Sequence, residues 1–347
     1  MDLVDFKTTF DGILEKYVDE KIAQAKQLLV DPKLNKFVGY IDTFIFSGGK
    51  RIRPYCLWAI YMGLGGKQEK DVLQFGIIFE LLHSMALIHD DIIDESKKRH
   101  NAPTVHCFVE SLLEEGEKRH HVAEGQAILI GDLLLSRVYE LWYKMHGFPN
   151  ELLDEARINI HSMVEEVILG QMIDVDMMIS GPATLEMIDK KNMYKTASYT
   201  FIRPMLTGAI LAGVSSEQKK LISEFGKHLG LAFQVKDDMM DLTLGDKTKS
   251  VFKDIQEGQQ TYFTNYIFNK GTGDQKQLLS ECLGKSLNEE QIKKLQEMFE
   301  SSGAIDFGKE MINDFISKAK GIFDQIDFSD EKIKQGLGNL MKKIEHF

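Results

Sequence analysis

Apolar residues recur at three- and four-residue spacing along almost the whole chain, the period of helices that bury one face. The spacing predicts helices over 3–29, 36–46, 68–95, 122–145, 150–178, 184–194, 198–213 and 216–244, with a further one running from Pro54 to the glycines at 63–66. Asp31-Pro32 and Gly147-Phe148-Pro149 read as stops, and 97–103 as a polar break. Beyond Tyr262 the pattern is helical segments divided at 271–273, 301–303 and 327–329. No run alternates with period two for long enough to predict a strand, and no linker, low-complexity tract or tandem repeat interrupts the chain. The expectation is one all-α domain spanning 1–347.

Composition narrows the function. Hydrophobic residues make up 43% of the chain, enough for a sizeable core, and only six prolines interrupt helix-forming residues. A net charge of -11 argues against nucleic acid as a partner, because binding a phosphate backbone requires a basic surface. Cys56, Cys107 and Cys282 are scattered, with no Cys-x-x-Cys pair, as expected of free thiols in a reducing compartment. The first residues are acidic, unlike a signal or transit peptide. No apolar run approaches the ~18–20 residues needed to span a bilayer. These features predict a cytoplasmic protein with no membrane span.

The chemistry begins where one apolar run ends in acid, at Asp90-Asp91-Ile92-Ile93-Asp94. On a helix Asp90 and Asp94 lie on one face, and carboxylates that close repel unless a cation sits between them. All-oxygen ligands suit Mg²⁺, which shares its shell with water and substrate phosphates. Alone, such a run also fits a solvated helix end. A second copy, Asp237-Asp238-Met239-Met240-Asp241, has the same spacing and also follows an apolar run, 225–235. If the two faced each other, the converging carboxylates would require several divalent ions and an anionic ligand such as a diphosphate.

Cations supply the complement. Lys50, Arg51 and Arg53 follow Gly48-Gly49 as a compact cluster suited to phosphate, and Arg99, Lys195-Thr196 at a helix boundary, and Lys249 add to it. Each taken singly fits a solvated surface charge. The glycines before Lys67 fit a plain turn, and His120-His121 a solvated pair.

Together these residues, in this order, resemble the trans-isoprenyl diphosphate synthases from about 48 to 261. The matching signatures are Gly48-Gly49-Lys50-Arg51-Ile52-Arg53-Pro54, Glu80-x-x-His83 leading into His89 and the first acidic motif, Pro103-Thr104 and Gly131-Asp132. Gly170-Gln171-x-x-Asp174, Lys195-Thr196, Phe233-Gln234 before the second acidic motif, Lys249 and Asp254-Ile255 complete the set. The resemblance implies an isoprenoid-synthase-type helical bundle around a central cavity, commonly homodimeric. It implies head-to-tail prenyl transfer between isopentenyl diphosphate and an allylic diphosphate, with three Mg²⁺ ions for which Mn²⁺ can substitute. Asp90 and Asp94 would hold two ions and Asp237 the third, while Asp91, Asp238 and Asp241 would orient ligands or bound waters. Arg99, Lys195 and Lys249 would neutralise the leaving diphosphate, and Lys50, Arg53 and His83 would hold isopentenyl diphosphate. His83 on an apolar face also fits a satisfied core histidine. Thr196, Gln234 and the Lys195 carbonyl would turn dipoles toward the carbocation.

The chain departs from that family at two positions. His100 stands where a second arginine usually contacts isopentenyl diphosphate, and Gln259 where a lysine usually lies. Both remove positive charge, so weaker substrate binding is expected, with the chemistry intact. Product length in the family is set by side chains before the first aspartate, here Met85 and Ala86, with Leu82 and Phe79 deeper. A compliant methionine at 85 points to the C20 product, geranylgeranyl diphosphate, with farnesyl or longer products as alternatives. Two further readings stand beside this one: a terpene cyclase, which has no use for the Gly-Gly-Lys-Arg cluster, and a non-catalytic partner subunit of a prenyl synthase.

Overall fold

The computed structural model describes residues 1–100, 102–243 and 252–346, and it is an all-α bundle. The first half comprises α1 (Leu3–Leu28), α2 (Pro32–Phe46), α3 (Ile52–Gly63), α4 (Glu69–Ile93), α5 (Val105–Ser111), α6 (Arg119–Lys144) and α7 (Asn150–Met177). It continues with α8 (Leu185–Lys191), a π-helix (Asn192–Ile202), α9 (Arg203–Leu211) and α10 (Ser216–Leu242). After α10 come α11 (Lys253–Gln256), α12 (Tyr262–Lys270), α13 (Gly273–Cys282), α14 (Glu289–Ser301), α15 (Ala304–Phe323) and α16 (Glu331–Glu345).

Side-chain caps explain several of the sharp starts. Asp2 and Asp31 accept from the first-turn amides of α1 and α2, and Ser215 caps α10. The α1 stripe Phe6, Phe10 and Leu14 is fully buried, with Phe6 stacked on Phe10 and edge-on to Tyr55, each at 5.4 Å between ring centroids. Helix α4 packs on α3 and α6, and the π-helix is held between α7 and α10. Among the described residues, α4 is the one helix long and apolar enough to cross a membrane, which the sequence reading did not anticipate. Most of that stretch is buried inside the bundle, so its apolarity serves the core.

Three elements differ from expectation. The polar break contains a two-residue antiparallel ribbon, β1 (Lys98–Arg99) with β2 (Ala102–Pro103), and α5 follows it in a stretch left without structure. The expected boundary at Lys195-Thr196 is instead the interior of the π-helix, continuous with α8 and α9. Four described non-glycine residues adopt left-handed backbone, Arg51, Glu95, His100 and Phe252. Each lies within a few residues of a sequence motif singled out above.

Candidate active site

Asp90 and Asp91 lie in the last turn of α4, and Asp94 caps its C-terminus. Their surroundings differ. Asp91 is fully buried and takes a fork from Arg99, Nε and Nη2 donating to Oδ1 at 2.9 and 2.6 Å. Asp90 Oδ1 accepts from Gln171 Nε2 (2.8 Å) and from Lys195 Nζ (3.3 Å). Asp94 Oδ1 is buried with no hydrogen-bond partner, and burial, then Asp90, push its carboxyl up to about 7.

The second motif ends α10. Asp237 is exposed. Asp238 is buried, its Oδ1 accepting from Gln234 Nε2 and its Oδ2 lacking a partner, and burial raises its carboxyl to about 7. Asp241 accepts from the backbone amides of Lys253 (2.9 Å) and Asp254 (3.0 Å), tying down the start of α11. Burial outweighs these bonds and lifts it to about 6.

Between the motifs runs a chain of charges that the sequence only partly exposed. Asp174 on α7 receives Lys195 Nζ at 2.6 Å and lies 3.3 Å from Lys191 Nζ, and the two lysines hold its carboxyl below the usual range against its burial. Lys191, buried, also donates to the Gln260 carbonyl at 2.8 Å and lowers the Asp238 carboxyl. The sequence reading missed Lys191, although its i, i+4 relation to Lys195 was the available signal. Thr196 Oγ1 donates to Gln234 Oε1, so Lys195, Thr196 and Gln234 meet around one turn of the π-helix.

The cationic cluster splits. Lys50 is exposed. Arg51 turns inward and is not available to a ligand: its guanidinium bonds Asp11 (2.7 Å), Glu80 (2.8 Å) and the Ile45 carbonyl (2.9 Å), with both Arg51 and Glu80 buried. Arg53 lies 4.2 Å from the Tyr199 ring and donates to Thr200 Oγ1 at 2.8 Å, leaving its buried Nε without a partner. His83 Nδ1 lies 3.4 Å from the Tyr199 hydroxyl. Burial, reinforced by Arg53 and Arg99, holds His83 neutral, its pKa well below the ordinary histidine value. The His100 ring lies against Gly48, where a Cβ would come within 2.6 Å of it. Lys249 and Asn101 fall outside the described residues. Of the ruler positions, Phe79, Leu82 and Met85 are buried and Ala86 is partly so.

This donor set fits divalent cations. Partnerless buried oxygens on Asp94 and Asp238 are what a hard cation would satisfy. Among the described residues no three His, Cys, Asp or Glu side chains already form a closed cage, so an ion here would complete its shell with water or ligand oxygens. A pH dependence follows. Asp94, Asp238 and Asp241 are raised, so the folded chain holds protons that the unfolded chain has released between about pH 4 and 7. The expected result is a metal-free melting temperature that falls from pH 5.5 to pH 8, and that divalent cation plus diphosphate raises at pH 8 far more than at pH 5.5. A flat metal-free profile would remove the crowded acids from this account.

A bundle that brings two acid-rich helix ends together around buried Lys191 and partly exposed Lys195 defines a site for an anion carried with cations. The comparisons with known proteins agree. The profile of the polyprenyl synthetase family matches residues 34–300. A short chain isoprenyl diphosphate synthase from Methanocaldococcus jannaschii is 31% identical over 86% of this chain and 85% of its own. A geranylgeranyl diphosphate synthase from Sulfolobus acidocaldarius is 32% identical over 75% of each. The crystal structure of a geranylgeranyl pyrophosphate synthase from Corynebacterium glutamicum, complexed with isoprenyl diphosphate and magnesium, superposes with a TM-score of 0.89 at 28% identity, covering 97% of this chain and 98% of its own. The chain belongs to the polyprenyl synthetase family and is a trans-prenyltransferase.

Proposed function

We propose that the chain condenses isopentenyl diphosphate head to tail with an allylic diphosphate and releases geranylgeranyl diphosphate. The observation that carries this is the relay Asp90–Lys195–Asp174–Lys191, which leads from the first acidic motif to a lysine that lowers the Asp238 carboxyl of the second, beside a separate patch of cationic Arg53 and neutral His83. One diphosphate fits each. The allylic one is held at the acids, where bound Mg²⁺ would supply the Lewis-acid stabilisation of the leaving group. Asp90, Asp94 and Asp237 are the ligands, for three ions in all, with Mn²⁺ an acceptable substitute; the relative crystallised with magnesium supports the choice. Asp238, bonded to Gln234, orients from behind with one oxygen still open to a ligand or water. Asp91 and Asp241 are already engaged by Arg99 and by the α11 amides, and act by holding those elements in place. Lys195 and Arg99 place positive charge where the diphosphate departs. Thr196 and Gln234 present dipoles to the developing cation, and the apolar bundle excludes water.

Lys50, Arg53, neutral His83 as a hydrogen-bonding group, and the position of His100 form the isopentenyl side. A histidine cannot reproduce the arginine fork, so affinity there is weaker than an arginine would give. Product length is set along α4, where Met85 lies about 7.5 Å before Asp90 at 1.5 Å per residue, with Leu82 and Phe79 beyond.

The test is incubation of the protein with Mg²⁺, labelled isopentenyl diphosphate and C5, C10 or C15 starters, with products separated by chromatography. A C20 product is expected, and Met85→Phe should shorten it to C15. An unchanged product would take Met85 out of the ruler; no elongation with any starter would point instead to a partner subunit of a prenyl synthase.

Two features bear on assembly and location. Tyr143 on α6 and Ile158 on α7 are 87% and 67% exposed, and Leu129, Ile168, Leu169 and Met172 extend the apolar surface of these two helices. It fits a homodimer face, to be seen as twice the chain mass in sedimentation; a monomer at micromolar concentration would refute it. Three free cysteines accord with the cytoplasm.

A further inference from the structure

Helix interiors disfavour glycine, yet three lie where α7 and α10 meet the π-helix. A Cβ at Gly170 of α7 would stand 2.7 Å from the backbone N of Lys195 and 3.1 Å from its Cα. One at Gly230 of α10 would stand 2.6 Å from Ala197 Cα and 2.8 Å from Ala197 Cβ. At Gly226 it would lie 3.0 Å from Ile202 Cα and 3.1 Å from its N. The obstructing atoms are backbone or Cβ atoms, which no rotamer change can move aside. The π-helix is therefore gripped from α7 at Lys195 and from α10 at Ala197 and Ile202.

The polar partners sit one turn further on. Gly170 precedes by four residues Asp174, which receives Lys195 Nζ at 2.6 Å. Gly230 precedes by four Gln234, which accepts from Thr196 and donates to Asp238. Gly226 bears on Phe201 and Ile202, next to Thr200, whose hydroxyl accepts from Arg53 at 2.8 Å. On each side a bare backbone contact sets the interhelical distance, and a side chain within a turn or a residue of that contact depends on it.

We infer that Gly170, Gly226 and Gly230 are positioning residues for prenyl transfer: by letting α7 and α10 touch the π-helix backbone, they set where Lys195, Thr196 and the Thr200–Arg53 pair stand. This rests on the proposed assignment of Lys195 to the allylic diphosphate and Arg53 to isopentenyl diphosphate. The fold contains its own control. Gly63 at the end of α3 is also tightly packed, a Cβ there lying 2.8 Å from the Phe328 ring and 3.3 Å from Ile333 Cγ2, and no residue of the site lies within a turn of that contact.

The experiment is steady-state kinetics with each substrate varied in turn, beside melting temperatures, for wild type, Gly170→Ala, Gly226→Ala and Gly63→Ala. Gly170→Ala is expected to raise the allylic KM and lower kcat by about tenfold or more, since displacements near 1 Å carry effects of that order. Its KM for isopentenyl diphosphate should stay near wild type. Gly226→Ala, with the milder overlap, should do the reverse, raising the isopentenyl KM and sparing the allylic one. Gly63→Ala should lower the melting temperature and leave both KM values alone. If Gly170→Ala and Gly226→Ala merely lose stability as Gly63→Ala does, the inference is overturned. Should Gly170→Ala fail to fold, Gly226→Ala decides by the same criterion. A wild type without turnover would overturn the functional reading itself, a different outcome from an active wild type whose variants show no KM split.

Discussion

Asp94→Asn should yield a protein that is more stable without metal and nearly inactive with it. One Asp94 oxygen is buried without a partner, and the carboxyl is pushed to about 7 by burial and the neighbouring Asp90. At pH 8 the native state must hold that charge in a poor environment, whereas the unfolded chain holds it in water. The neutral amide removes the penalty, a gain on the order of 1 kcal/mol once its shared titration with neighbouring acids is discounted. At pH 5.5, where the wild-type carboxyl is itself protonated when folded and ionised when unfolded, the gain should shrink or vanish. Activity moves the other way, because an amide is a poor ligand for a hard cation. A loss of about 10³-fold in kcat/KM is in scale with removing one fixed electrostatic contact to a leaving group. Melting curves at both pH values, with kinetics at saturating Mg²⁺, check it. A destabilised or fully active variant would contradict the account.

The second large effect lies outside the reaction. Arg51→Ala should lower stability by about 3–5 kcal/mol, because it leaves Glu80 ionised and buried without its partner. For a chain of this size that is on the order of 10 °C in melting temperature. Arg51→Met combined with Glu80→Gln should recover more than half of the loss, since no unpaired charge remains; Asp11 keeps its contact with Lys7. Folded Arg51→Ala at low temperature should keep its KM for both diphosphates, which a phosphate-binding role for Arg51 would not allow. Urea unfolding and kinetics on the two variants decide between the roles.

Arg51 also shows where a sequence reading runs out. Lys50, Arg51 and Arg53 look alike as a run, but left-handed backbone at Arg51 (φ 55) turns it back under the rim to meet Asp11 and Glu80. Backbone handedness at a non-glycine residue leaves no mark in composition or period. The long helices were legible to within a few residues because each repeats its apolar stripe over many turns, as α1 and α7 do. The π-helix was not, because one extra residue per turn disrupts the 3.6 period just where Lys195 and Thr196 sit, and so it read as a boundary. Helix α5 was missed for its brevity, seven residues after a proline-containing ribbon. Among the site residues, the acidic motifs announce themselves by spacing. Asp174 was legible as part of the Gly170-Gln171-x-x-Asp174 signature and Lys191 only through its spacing from Lys195, but their pairing depends on burial and mutual approach, which no local pattern encodes.

The crowded acids at the ends of α4 and α10 have a consequence for how the reaction is supplied. On the proposed function, carboxylates that already repel one another would turn away a bare diphosphate, so cation and substrate would have to be taken up together. Turnover would then follow the concentration of the cation–diphosphate complex. Excess substrate would act as its own brake, by taking up the free cation that a second molecule needs. Flux would thus depend on the balance between two pools, and neither one alone would set its pace.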